Sequence, residues 1–179
     1  MLKNNKNNYG IVAILLHWIS AITIFGLFGL GFWMVDLSYY SEWYKTAPSI
    51  HKSIGMILFF IVLFRLFWKT INIKPIPIGN KFEIKISKIV HFLLYLLMLT
   101  IFISGYLIST SDGRGIEIFN FITIPSLGEF IENQESVMGS IHKYSTYTLM
   151  VLVGLHSIAA LKHHFVNKDN TLKRMIKTK

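Results

Sequence analysis

The chain has 179 residues, 53% of them hydrophobic and 15% aromatic, and contains no cysteine. With four apolar runs long enough to cross a bilayer, this is the composition of a small integral membrane protein rather than of a water-soluble core. The absent cysteines exclude disulfides, thiolate zinc sites, iron–sulfur clusters and covalent haem attachment through C-x-x-C-H, so a metal has to rest on histidine, methionine or carboxylate, while the formal charge of +9 points to nucleic acid only if topology does not explain it.

Residues 1–9 are polar and basic. The first apolar run, about 11–35, is interrupted only by His17, Ser20 and Thr23. It is too long for the apolar core of a signal peptide, carries a histidine and reaches Asp36 without a small-residue cleavage site, so it reads as a retained span. A second span is expected at about 48–69, with Pro48 suited to the first turn of a helix. The third is expected at about 89–109 and the fourth at about 141–165. Loops at 36–47, 70–88 and 110–140 join them. The expected architecture is one all-α membrane domain over 1–179, four transmembrane helices forming a bundle.

The charges orient that bundle. The side of the N-terminus, the loop after the second span and the C-terminal tail, counting Arg65, Lys69 and Lys162 at the span ends, holds 14 of the 18 lysines and arginines. The opposite side keeps only Lys45, Lys52, Arg114 and Lys143, together with seven of the nine acids. The positive-inside rule then places both termini in the cytoplasm, and the lysine excess is explained without nucleic acid.

Seven histidines remain to be explained, several of them inside apolar runs where an unpartnered imidazole is costly. His142 and His156 stand 14 residues apart in the fourth span, on one helix face and about 21 Å apart along it. Ligands of one metal have to share a depth. His51 lies at the outer start of the second span, level with His142. His17 lies about 9 Å in from the cytoplasmic side and His156 about 14 Å, which makes a second pair. A core histidine bonded to a neighbouring backbone group explains one such residue readily; four, matched in depth two by two, point to ligands. Two stacked bis-histidine sites without cysteine or carboxylate suit two haem b groups, about 20 Å apart between irons, whereas zinc wants three or four ligands at one point.

Neighbouring residues fit a flat ring. Gly55 lies one turn from His51, Gly154 neighbours His156, and Gly26, Gly29 and Gly31 cluster in the first span; the same small residues also serve bare helix packing. Arg65 follows His51 by 14 residues, on its face and at the inner level, where a guanidinium holds a haem propionate or quinone oxygen or else reaches back to the cytoplasm. His91, about one turn into the third span, is expected to be shallower than His17 and His156. His163 shares the ligand face of the fourth span, and both are candidates for a quinone or propionate contact; His164 reads as interfacial.

These segments resemble bacterial cytochrome b561. They are LLHW at His17 and Trp18, HKSIG from His51, FRLFWK at Arg65, HFLLYLL at His91, ISG at Gly105, and GLHSIAALKHHF followed by KDNTLKRM, the longest and most specific. The likeness covers nearly the whole chain. It implies a four-helix, di-haem b protein of the bacterial inner membrane, with His51 and His142 as iron ligands of the periplasmic haem and His17 and His156 as those of the cytoplasmic haem. It further implies respiratory electron transport, single electrons passing between the haems and the quinone pool; at least one member oxidises superoxide and reduces ubiquinone. The outer loop at 115–138 departs from the family pattern and leaves a periplasmic redox partner unspecified. Lys52, Lys143 and Arg114 are candidates for steering a small anion to the outer haem, or for neutralising propionates. The functions left open are a superoxide:ubiquinone oxidoreductase or other electron carrier, a haem b anchoring subunit for a dehydrogenase or cytochrome, and a non-redox haem- or metal-binding membrane module.

Overall fold

The computed structural model describes residues 1–178. Four helices long and apolar enough to cross a membrane account for most of it: α1 (Ile11–Met34), α2 (Thr46–Ile71), α3 (Lys81–Ser109) and α4 (Gln134–Phe165). Only 6–11% of each helix's apolar window is buried inside the protein, so most of the apolar surface faces outward, as a lipid solvent requires.

Two of the helices outrun the expected spans. α3 starts at Lys81 rather than near 89, because Asn80 and Glu83 form a capping box: the Asn80 side chain accepts from the Glu83 N–H at 2.9 Å, and Glu83 accepts from the Asn80 N–H at 3.0 Å. The same Glu83 receives Lys162 Nζ at 2.6 Å, which ties the start of α3 to the end of α4. α4 starts at Gln134 rather than near 141. The expected loops 70–88 and 110–140 are therefore partly helical, and the second also contains an antiparallel hairpin, β1 (Ile116–Ile118) and β2 (Ile122–Ile124). Its turn has Phe119 and Asn120 at positive φ, 47° and 61°, and closes with Phe121 N–H donating to the Ile118 carbonyl at 2.9 Å.

The helices assemble as two hairpins. α1 packs closely on α2 and α3 on α4, while α2 and α3 supply a lesser contact between the halves. The core is an apolar layer of Leu58, Val62, Met98 and Leu149, extended by Ile24 and Leu27 of α1. It lies at mid-length of the bundle and divides it into two ends, each with its own histidines.

At the acidic end, the β hairpin is pinned to α2 by Ser53, which donates to the Glu117 carbonyl at 3.2 Å and accepts from the Phe119 N–H at 3.1 Å. Gln134, fully buried, ties α4 to α3 by donating to the Leu107 carbonyl at 3.0 Å while accepting from the Phe130 N–H at 2.8 Å.

At the basic end, three segments meet. Asn4 donates to the Ile73 carbonyl at 3.0 Å, Arg174 to the Ile76 carbonyl at 2.9 Å, and Trp18 Nε1 to the Met175 carbonyl at 2.6 Å. The N-terminus, the α2–α3 loop and the C-terminal tail thus share one end, as the charge distribution requires. His163 Nδ1 meets Asp169 Oδ2 at 2.6 Å and fixes the turn into the tail.

Two outcomes are expected from this packing. Gln134→Leu keeps the volume but strands the Leu107 carbonyl and Phe130 N–H, at about 1–3 kcal/mol; thermal unfolding should come earlier and proteolysis within 110–133 should accelerate. Burial works against the charge on Asp169, but hydrogen bonds from Thr171 and His163 outweigh it and hold the carboxyl at about 2, below its ordinary 3.8. The folded pKa is the lower one, so this contribution is complete above the ordinary value and is lost as pH falls through about 2. Pepsin should therefore cut the 166–176 tail increasingly between pH 4 and pH 2, and Asp169→Asn should be cut already at the upper end of that range.

Candidate cofactor sites formed by two histidine pairs

Each end of the bundle brings two histidine rings together, their planes steeply inclined to each other, across the slot between the helical hairpins. His51 of α2 and His142 of α4 have ring centroids 6.3 Å apart at an interplanar angle of 68°. His17 of α1 and His156 of α4 have the same 6.3 Å separation at 67°. α4 contributes one member of each pair, and its unbroken helix separates the two levels by about 21 Å.

The spacing suits a metal between the rings. A transition-metal ion bound at about 2 Å by a nitrogen on either side, with about 1.15 Å from each nitrogen to its ring centre, needs centroids about 6.3 Å apart. Both pairs meet that requirement. Among the described residues no group of three or more His, Asp or Glu side chains is placed to hold a metal ion, so a metal at either pair would have two protein donors. That leaves the remaining coordination positions to a planar group such as a porphyrin, which accepts one imidazole above and one below.

The ring supports are specific. At the acidic end, His142 Nδ1 lies 3.0 Å from the Ile101 carbonyl, which can only accept, so Nδ1 carries the proton and Nε2 keeps a free lone pair. Ser104 Oγ lies 3.3 Å from the same Nδ1. A Cβ added to Gly105 would stand 3.1 Å from His142 Cε1, and one added to Gly31 would stand 3.1 Å from His51 Cε1. Both glycines let an imidazole rest against backbone. His51 Nδ1 is buried without a partner.

At the basic end, Arg65 Nη2 lies 3.0 Å from His17 Nδ1. The guanidinium also stands 5.6 Å over the Tyr95 ring, which receives Lys69 Nζ at 4.7 Å. His91 corrects an expectation. Because α3 begins at Lys81, His91 is not shallow but level with His156, its ring centroid 5.2 Å away. That is direct contact, about 1 Å short of the spacing a bound atom needs, and its Nδ1–H is already given to the Ser87 carbonyl at 2.7 Å.

The other expected residues are placed as follows. His163 is half committed, with Nδ1 on Asp169, and His164 packs on Phe165 at 4.8 Å. Lys52 and Lys143 are exposed beside the His51–His142 pair. Arg114 is not free to steer an anion: it is ion-paired with Asp112. Gly26, Gly29, Gly55 and Gly154 face open space rather than a neighbouring side chain. Sequence reading passed over Ser104, Tyr95 and the role of Gly105 against His142; a glycine inside an apolar helix was the available signal for the last.

A membrane-spanning four-helix bundle with paired imidazoles at two levels is the architecture of a haem-carrying membrane electron-transfer protein. Comparison with known proteins agrees: the family model for prokaryotic cytochrome b561 matches residues 8–178. Cytochrome b561 homolog 2 of Escherichia coli (strain K12) is 41% identical over 175 residues, covering 97% of this chain and 93% of the relative. Cytochrome b561 homolog 1 of the same organism is 26% identical over 175 residues, covering 95% and 97%. A probable superoxide oxidase CybB of Yersinia pestis is 29% identical over 144 residues, 78% of each chain. The chain belongs to the prokaryotic cytochrome b561 family, whose members are haem b proteins of membrane electron transport.

Gly105→Leu tests the fit at the His51–His142 pair. The added side chain overpacks by about 1–3 kcal/mol against the His142 ring; with His142 as a haem ligand, purified protein would retain less haem b per chain by pyridine haemochrome. Unchanged haem content would contradict the close backbone support of His142.

Proposed function

We propose that this protein carries two haem b groups and passes single electrons across the bacterial inner membrane from a periplasmic donor, superoxide, to the quinone pool. The observation that carries this reading is the pair of equal 6.3 Å imidazole separations at two levels of one helix. His51 and His142 would hold the outer haem and His17 and His156 the inner one, with both termini in the cytoplasm. Bound at these sites, haem supplies a one-electron iron couple.

The chain's own residues do the rest. The Ile101 carbonyl orients His142 by taking its Nδ1 proton. The layer of Leu58, Val62, Met98 and Leu149 keeps water out of the space between the two levels. Arg65, close to His17, is placed for a haem propionate or a quinone oxygen at the inner end, and His91 and His163 border the same end.

At the outer end, Lys52 and Lys143 each follow a proposed ligand in sequence and stay exposed, whereas the nearby groove of about 590 Å³ is acidic, with Asp112, Glu129 and Glu135 in its wall. Those two lysines are therefore the local attraction for a small anion. The balanced reaction takes one electron from each of two superoxide anions, releasing two dioxygen molecules, and delivers both electrons with two protons to one quinone, giving the quinol. That the Yersinia pestis relative bears the name of a probable superoxide oxidase supports the choice of donor.

Reconstituted in liposomes with ubiquinone and a superoxide source outside, the protein should form quinol at a rate that falls with ionic strength. Lys52→Ala with Lys143→Ala should lower that rate several-fold and flatten its salt dependence. An unchanged, salt-independent rate would remove superoxide steering, and reduction only in the presence of a co-purifying protein would make the chain the anchoring subunit of a larger enzyme.

A further inference from the structure

What stands behind the two sets of histidines differs in electrical character. Resting on the assignment of one bis-histidine haem b to each pair, we infer that Arg65 gives the inner site the higher reduction potential, so that an electron entering at the outer end comes to rest at the inner end.

At the outer pair, the group behind His142 is a carbonyl. Ile101 accepts from Nδ1–H at 3.0 Å, with Ser104 Oγ at 3.3 Å. An acceptor at the far nitrogen draws the proton outward, makes the ligating nitrogen more basic and favours the oxidised, more positive state of a bound metal. Opposite it, His51 Nδ1 has no partner, and Lys52 and Lys143 extend into solvent, where their charge is screened.

At the inner pair, the group behind His17 is a cation. Arg65 Nη2 stands 3.0 Å from Nδ1, and a guanidinium has donors only, so in this structure Nδ1 accepts. Coordination through Nε2 would put the ring proton on Nδ1 and turn that bond aside, leaving Arg65 as a charge beside the ring and not as an acceptor for its proton. The ring keeps its full proton and lies beside a fixed positive charge. Both effects favour the reduced state. Lys69 adds to them, with its Nζ 4.7 Å over the Tyr95 ring that Arg65 also covers at 5.6 Å. His91 does not offset them: its Nδ1–H is spent on Ser87, and among the described residues no hydrogen bond joins it to His156.

The transfer between levels moves one electron from the outer site to the inner one; no bond forms or breaks and no proton is carried. A one-electron reductant at the outer face supplies it.

The test is an optical redox titration of the purified full-length protein, with haem counted on the same sample. Two one-electron couples are expected. Arg65→Gln should lower the higher couple by at least tenfold in the equilibrium constant between sites, about 59 mV for one electron, and leave the lower couple in place. Arg65→Lys, which keeps the charge, should restore most of the shift. Lys69→Gln should lower the same couple by less, and it decides the matter if Arg65→Gln does not retain its haem. A shift of the lower couple instead, no shift with both low-spin haems present, or a single shared potential in the unmodified chain would overturn the inference. Fewer than two haems in the unmodified chain would overturn the assignment beneath it, a separate result.

Discussion

An imidazole inside a bilayer has neither water nor an easy route to a charge, and the structure is arranged around that constraint. Four of the seven histidines meet as two pairs across the slot between two helical hairpins, at equal separation and nearly equal angle. One helix supplies a member to each pair. The 14-residue interval between His142 and His156 thereby fixes both the shared face and the distance between levels.

The surroundings follow from that arrangement. Glycine at 31 and 105 gives the rings of His51 and His142 room against backbone, and an apolar layer separates the levels. The ends are finished differently. The basic end is laced by the N-terminus, the α2–α3 loop and the tail, with Arg174 packed over Tyr9 at 5.8 Å. The acidic end is closed by a small hairpin that Ser53, two residues from His51, holds in place. Two of the residues that secure the periphery, Ser53 and Trp18, sit within two positions of His51 and His17.

Much of this was legible in the sequence because membrane rules are strict. Hydropathy and length located the four helices, and the distribution of lysine grouped the same three segments that the structure brings to one end. Histidine depth matched His51 with His142 and His17 with His156. Depth misled for His91, since the capping box at Asn80 and Glu83 lengthens α3; that signal was present in the sequence but lies outside the apolar run that defines a span. The outer hairpin escaped because its turn uses Phe119 and Asn120 at positive φ, where pattern reading looks for Asn-Gly. Contacts such as Arg65 with His17, or Ser104 with His142, join different helices, and no spacing within one helix reveals them.

The central claim is that each histidine pair holds one haem. It is tested most directly by a reduced-minus-oxidised absorbance spectrum of the purified protein, combined with a pyridine haemochrome count per chain. Two haem b groups per chain, both with the sharp bands of low-spin bis-imidazole iron, are the expected result. A single haem, a high-spin spectrum, or another metal in place of haem would contradict it.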